Sequence, residues 1–283
     1  MHSDGESYIY LTPRCEADMY GYSAWLARHL HYEGVPMSMR RFQHGWFWYD
    51  YDEGKDYTNF FYEMERGSLV QDQSYANGLR QDGLMAFSTG LPFTNFFQIE
   101  KRLGNFQHTR QGTLFVPYRS YGTSDNSDYI MEQIKDFASC CEDFSVMLSF
   151  DDAKYMELAM HYASKVVIGA SATELNSLYR VATIFSSYER MFTTYMGSHI
   201  LYGLICGMPV GIYKLASLKL RGTDQIMVEQ GKWKDAFTSK FHSREYLDSK
   251  FPGLVSDDFK AEFRSIPAVP ETDPAVISAL LGW

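Results

Sequence analysis

Cysteine is scarce, and what there is does not form a framework. The four thiols, Cys15, Cys140, Cys141 and Cys206, contain no C-x-x-C spacing, and the adjacent pair does not suit an ordinary structural bridge. They read as reduced thiols in a cytosolic protein. Positive charge is also short: 26 Lys and Arg stand against 35 Asp and Glu, a net charge of −9, with no basic cluster. Affinity for a phosphate backbone depends on such clusters, so nucleic acid is not an expected partner. Residues 1–10 carry neither the basic nor the apolar region of a secretory signal, which sets the expected location as cytoplasmic. The stretch Met191 to Tyr213 lacks Lys, Arg, Asp and Glu and has about the length of a membrane span. Its Gly, Pro, Ser and Thr content and its changing period argue against a span.

Apolar residues, in contrast, are present in globular proportion. The chain of 283 residues is 45% hydrophobic and 22% charged, enough for two modest domains. Aromatic residues make up 16%, with 21 Tyr and 20 Phe. Most such rings belong to a core, and the remainder suit stacking on sugars or a nucleobase.

The chain is organised around that same uncharged stretch. Phe192 to Met196 is β-prone, Gly197 breaks the run, Ser198 is the expected N-cap, and Ile200, Leu201, Leu204 and Ile205 recur at helical spacing. Gly207 and Pro209 stop the helix, and Val210 to Tyr213 reads as a buried strand. The result is a β-α-β unit whose helix start faces the crevice beyond the strand ends, a place for phosphate or carboxylate. Thr194, Gly197, Ser198 and His199 stand there as donor or phosphate contacts. The rest of the chain keeps the same rhythm. Strands are expected at 7–12, Arg40 to Trp48, Thr113 to Pro117, Phe144 to Phe150 and Val166 to Ser171. Helices are expected over Asp18 to Tyr32, Ser74 to Leu84, Asp128 to Cys140, Asp152 to Ser164, Leu175 to Arg190 and Lys232 to Phe251. Asp151 and Asp152 are expected to end a strand and cap a helix. Gln98 to Gly112 lacks a firm period and reads as an inter-domain linker.

Thr194 to Tyr213, with Gly197-Ser198-His199, Tyr202 and Gly207, resembles the nucleotide-binding half of GT-B glycosyltransferases from bacterial surface-polysaccharide (O-antigen and capsule) gene clusters. It is distantly similar to the glycerophosphate-polymer transferases as well. The order of features extends the resemblance back to about Arg41 and forward towards Pro252, at low identity. Gln43-His44-Gly45-Trp46 resembles the His-Gly pair that these families carry at the end of an N-domain strand facing the cleft. Gly90-Leu91-Pro92-Phe93 resembles their G-L-P-F. The resemblance implies an acceptor side built from His44, Gly45, Trp46, Thr89 and Gly90, with His44 as the catalytic group. Imidazole titrates near working pH and suits deprotonation of an acceptor hydroxyl, although a lone His among aromatic residues also serves as a packed side chain. Related sequences have His-Ser where this chain has Arg119-Ser120. That departure removes any role carried over for position 119, but a guanidinium there suits a donor phosphate, with Ser120 beside it. Gly169-Ala170-Ser171 ends a strand with small residues, which makes Ser171 and Thr173 candidates for base or ribose contacts.

The expected fold is α/β, two Rossmann-like domains facing across a cleft in the GT-B manner. Residues 1–112 form a small acceptor-side domain with its linker and 113–231 the nucleotide-donor domain, while 232–283 pack back on the body. The expected activity is metal-independent transfer of a sugar from a nucleotide-activated donor to a surface-polysaccharide or lipid-linked glycan, with no cofactor. CMP-sugars, nucleoside-diphosphate sugars and CDP-glycerol all remain open as donors. Two other classes fit the residues. One is a non-catalytic nucleotide- or glycan-binding relative. The other is a metal-dependent GT-A transferase using the D-x-D pair Asp50 and Asp52, since hard carboxylates suit Mg²⁺ or Mn²⁺. The apolar end, Val276, Leu280, Leu281 and Trp283, offers either docking on the protein or peripheral contact with the inner face of a membrane.

Overall fold

The computed structural model describes residues 20–34, 40–43, 45, 67–120, 126–171, 173–195, 197–213 and 272–283. The expected strand at 7–12, His44, Trp46, Asp50, Asp52 and the helix expected over Lys232 to Phe251 lie outside the described residues. Among the described residues the fold is α/β with two parallel sheets, one of three strands and one of five. Residue contacts divide the chain into two units, one holding the described residues up to Asn105 with 173–179 and 272–283, the other beginning at Phe106.

In the first unit, α1 (Tyr22–His29), β1 (Arg41–Phe42), β2 (Ser68–Val70), α2 (Gln73–Gln81), β3 (Ala86–Ser88) and α3 (Pro92–Arg102) follow one another. The sheet order is β1-β2-β3, all parallel. Asp72 caps α2 through the Tyr75 amide at 2.8 Å, and Gly83 at φ +78° turns the chain into β3. Helix α3 begins at Pro92, where a missing N–H costs nothing, and Thr94 Oγ1 accepts from the Leu91 amide at 3.0 Å. It continues through Ile99 and Glu100, both buried, so the linker expected over Gln98 to Gly112 is helical in its first third. The polar run Gln98, Glu100, Lys101, Arg102 hides this because Glu100 points inward. Its carboxylate accepts from Trp25 Nε1 at 2.6 Å, Asn105 Nδ2 at 2.6 Å and the Tyr179 hydroxyl at 3.0 Å. Gly21, at φ +73°, is required by space as well as conformation: a Cβ there would lie 2.0 Å from the Leu175 carbonyl oxygen. Helix α8 (Pro274–Leu281) is capped by Asp273 and buries Ile277 and Leu281. Trp283 stacks on Tyr32 at 5.3 Å, and Arg40 donates to the Leu280 carbonyl.

The second unit runs β4 (Thr113–Val116), α4 (Ser127–Ala138), β5 (Ser145–Leu148), a 3₁₀ turn (Phe150–Tyr155), α5 (Met156–Ala159) and β6 (Lys165–Ile168). It continues through α6 (Ser177–Ser187), whose first turn the contacts assign to the first unit, into β7 (Arg190–Thr193), α7 (Ser198–Ile205) and β8 (Val210–Ile212). All strands are parallel in the order β6-β5-β4-β7-β8. Central β4 is buried along its whole length, as an apolar strand covered on both faces should be. Ile130, Ile134 and Phe137 recur on α4 at i, i+4, i+7 and are fully buried. Phe137 stacks on Phe115 at 4.2 Å and meets Phe144 and Tyr213 edge-on at 4.9 and 5.0 Å. Two expectations change here. The helix expected over Asp152 to Ser164 is a 3₁₀ turn and one α-turn, because Asp152 is drawn inward. The strand expected at Phe192 to Met196 lies earlier, at Arg190–Thr193, where it pairs residue for residue with Thr113–Val116. Among the described residues no helix is long and apolar enough to cross a membrane.

Candidate functional site

In the five-stranded sheet the chain leaves β4 towards β5 and β6, then returns to build β7 and β8 on the other side. The loops after β4 and β7 therefore diverge, and the crevice between them is where open parallel sheets hold ligands. One loop carries Pro117, Tyr118, Arg119 and Ser120. The other carries Thr194, Tyr195 and Gly197 before α7 begins.

The floor of this crevice is a polar network centred on Gln133 Oε1. Gln133 of α4 accepts through Oε1 from the Tyr118 amide at 2.9 Å and from the Thr194 hydroxyl, while Thr194 Oγ1 lies 3.1 Å from the same amide. Thr194 is 2% exposed. It ties the two loops together below the crevice. Tyr118 stands edge-on to Tyr195 at 5.3 Å and to Tyr129 at 6.2 Å, giving an aromatic wall. Burial raises the Tyr129 phenol to about 12, with Glu132 adding to the rise, so it remains a neutral donor.

Gly197, in place of the expected Ser198, is the N-cap of α7, and Ser198 is the first helical residue. The reason is space. Gly197 is extended (φ −159°), and a Cβ there would lie 2.7 Å from His199 Nδ1 and 3.0 Å from the Tyr195 ring. His199 turns inward beneath the turn. Its Nε2 pairs with Thr193 Oγ1 at 2.8 Å, and its ring sits 4.5 Å from that of Tyr195. Burial, and secondarily the positive charge of Arg119, lower its pKa from 6.5 to about 3, so the imidazole is neutral at pH 7. The positive character here comes from Arg119, which is exposed, and from the N-terminal end of the α7 dipole.

Beside Arg119, Ser120 is buried and committed. Its amide donates to Asp152 Oδ2 at 3.1 Å and its Oγ accepts from the Asn126 amide at 3.1 Å. Asp152 also accepts from the Ser149 hydroxyl at 2.5 Å. It thus anchors the β4 loop, where the sequence pattern suggested a cap for its own helix. Arg119, Ser120, Thr194, Gly197, Ser198 and His199 come together at the ends of β4 and β7. Ser171 does not: it follows β6, two strand spacings or about 10 Å from β4. Thr173 falls among the residues of the first unit.

In the first unit, Gly45, Thr89 and Gly90 lie at the C-terminal ends of β1 and β3. Gly90, at φ +78°, makes the turn into α3. Sequence reasoning missed the buried amides that surround them. Gln43 Nε2 donates to Gln71 Oε1 at 2.8 Å and to the Gly45 carbonyl at 2.8 Å, and Gln43 Oε1 accepts from the Gln71 amide at 3.1 Å. Asn95 Nδ2 donates to the Thr89 carbonyl at 2.9 Å. The one available signal was a Gln placed directly after each of two strands. Among the described residues no group of three or more His, Cys, Asp or Glu is arranged to hold a metal, and Cys140, Cys141 and Cys206 are free thiols. No protein-family model matches the chain, and no curated protein sequence matches it.

Proposed function

We propose that this protein is a GT-B-type glycosyltransferase that moves a sugar from a nucleotide-activated donor to a surface-polysaccharide or lipid-linked glycan acceptor. The observation that carries the reading is the convergence of Arg119 with the start of α7 where the order of a five-stranded parallel sheet reverses. A leaving nucleotide gathers negative charge on its phosphate as the glycosidic bond breaks. A guanidinium fork and oriented backbone amides stabilise that charge without a metal. Tyr118 and Tyr195 supply ring faces and edges for the base or sugar. Neutral His199 holds the turn from below and leaves the phosphate contact to the Ser198 and His199 amides. The acceptor side belongs to Gly45, Thr89 and Gly90 of the first unit, with His44 as general base and Trp46 beside it. The site of action is the cytoplasm, or the inner face of the membrane where the acceptor is lipid-linked.

The test is nucleotide release from CMP-, CDP-, UDP- and GDP-sugars without acceptor, with and without excess EDTA. Release from one donor class, unchanged by EDTA, supports the proposal. Tight binding with no release points to a non-catalytic relative, and release abolished by EDTA and restored by Mn²⁺ points to the metal reading through Asp50 and Asp52.

A further inference from the structure

Five of the ten large apolar side chains that stay exposed among the described residues fall in one connection of the five-stranded sheet. They are Phe150, Met156, Leu158, Met160 and Tyr162, between β5 and β6, and their exposure runs from 40% to 58%. From Met156 to Ala163 only Ala159 and Ala163 turn inward, into the cluster built on Ile130, Ile134 and Phe137. A surface segment of helical pitch ordinarily sets its large apolar residues towards the core. Here the small residues face the core and the large ones face out. At about 200 Å² for a large side chain, the five leave about 450–500 Å² open. That is as much as the largest apolar patch of an ordinary monomer, about 300–600 Å², and such patches mark interfaces.

The patch adjoins an open strand edge. Strand β6 ends the sheet, with no strand beyond it among the described residues, and its Val166 and Ile168 pack against the same cluster as the two alanines. A half-buried edge of β-branched residues is a template for another strand. Charge decides which partner fits. The exposed charged residues from Phe150 to Ile168 are Asp151 and Glu157 against Lys154 and Lys165, a balanced set in a chain of net charge −9. The face carries no basic excess for anionic lipid, and the repulsion that the net charge imposes between copies is absent there. We propose that this face, Phe150 to Tyr162 together with the edge of β6, is where a second copy of the chain docks about a two-fold axis. Such an axis sets the patch against itself and lets the acids of each copy meet the bases of the other. With antiparallel edges centred between Val166 and Val167, Val166 opposes the partner's Val167 and Lys165 opposes the partner's Ile168, so no like charges are directly paired. The patch supplies more than half of the roughly 800 Å² that each partner of a stable complex covers, and the paired edge supplies the remainder.

The experiment is sedimentation velocity of the full chain over a dilution series in the micromolar range, with hydrogen exchange of the β6 amides followed across the same series. The wild type should sediment as a dimer that dissociates on dilution, and the amides of 165–168 should exchange faster as it does. Leu158→Glu with Met160→Glu sets like charges against each other across the axis and should weaken the dimer by about 100-fold or more. Val276→Glu, an equally exposed apolar position on α8, should leave it unchanged. A wild type that stays monomeric overturns the proposal. If its β6 amides are then protected at every dilution, a segment of the same chain covers the edge; if they exchange freely, nothing does. A dimer whose dissociation leaves β6 exchange unaltered also overturns it, whether or not the double variant folds, as does a dimer that the double variant retains.

Discussion

Acidification should destabilise the five-stranded unit through one side chain, His199. Its imidazole is buried against Thr193 and Tyr195, and folding lowers its pKa from 6.5 to about 3. Between those values the unfolded chain binds a proton that the folded chain does not, so stability must rise with pH through this window and fall as pH drops below 6.5. At pH 7 the site is neutral in both states, and the linkage penalty is near zero. At pH 5 the unfolded His is almost fully charged, and the loss relative to pH 7 amounts to about 2 kcal/mol, approaching the limiting slope of about 1.4 kcal/mol per pH unit. Urea unfolding at pH 7, 6 and 5 measures it, with His199→Gln as the reference because glutamine keeps a polar partner for Thr193 and does not titrate. The wild type should lose about 2 kcal/mol more than the variant over that range. Parallel losses in the two proteins would show that His199 ionises in the folded state, and the description of the turn beneath α7 would fail.

Gly197→Ala places a methyl group 2.7 Å from His199 Nδ1 without straining the extended backbone, so the cost is overpacking, about 1–3 kcal/mol, read as a lower urea midpoint. Phe137→Ala removes the ring on which Phe115, Phe144 and Tyr213 converge and should cost about 3–5 kcal/mol with an unchanged denaturant slope. A cost below 1 kcal/mol would contradict the packing described. If His44 is the general base, His44→Ala should lower turnover by about 10²–10⁴-fold while nucleotide affinity holds. Loss of melting temperature and activity together would make it a packing residue.

Elements whose ends are marked by their own residues could be read from the sequence. The β-α-β unit from Arg190 to Ile212 was legible because Gly197, Gly207 and Pro209 punctuate it, and α4 because its apolar residues fall at i, i+4, i+7. What local pattern cannot carry is a partner far along the chain. Asp152 looks like a cap until Ser120, 32 residues earlier, supplies the donor that turns it inward and shortens the helix after it. Glu100 looks like a surface residue of a linker until Trp25 and Tyr179 converge on it. At the candidate site the residue types were legible and their burial was not. Thr194 and His199 were expected to face a ligand, and Gln133 and Thr193, invisible as site residues in sequence, hold both of them below the crevice.

The most direct measurement of the central claim, that the crevice between β4 and β7 holds a nucleotide phosphate, is calorimetric binding of nucleoside diphosphates to the wild type and to Arg119→Ala. Arg119 is exposed, so its removal should change stability by no more than about 0.5 kcal/mol. A guanidinium bonded to phosphate should nevertheless account for about 10- to 100-fold in affinity. The wild type should bind, and a stably folded Arg119→Ala variant should lose affinity by that factor. Equal affinities in the two proteins, or no binding by either, would contradict the claim.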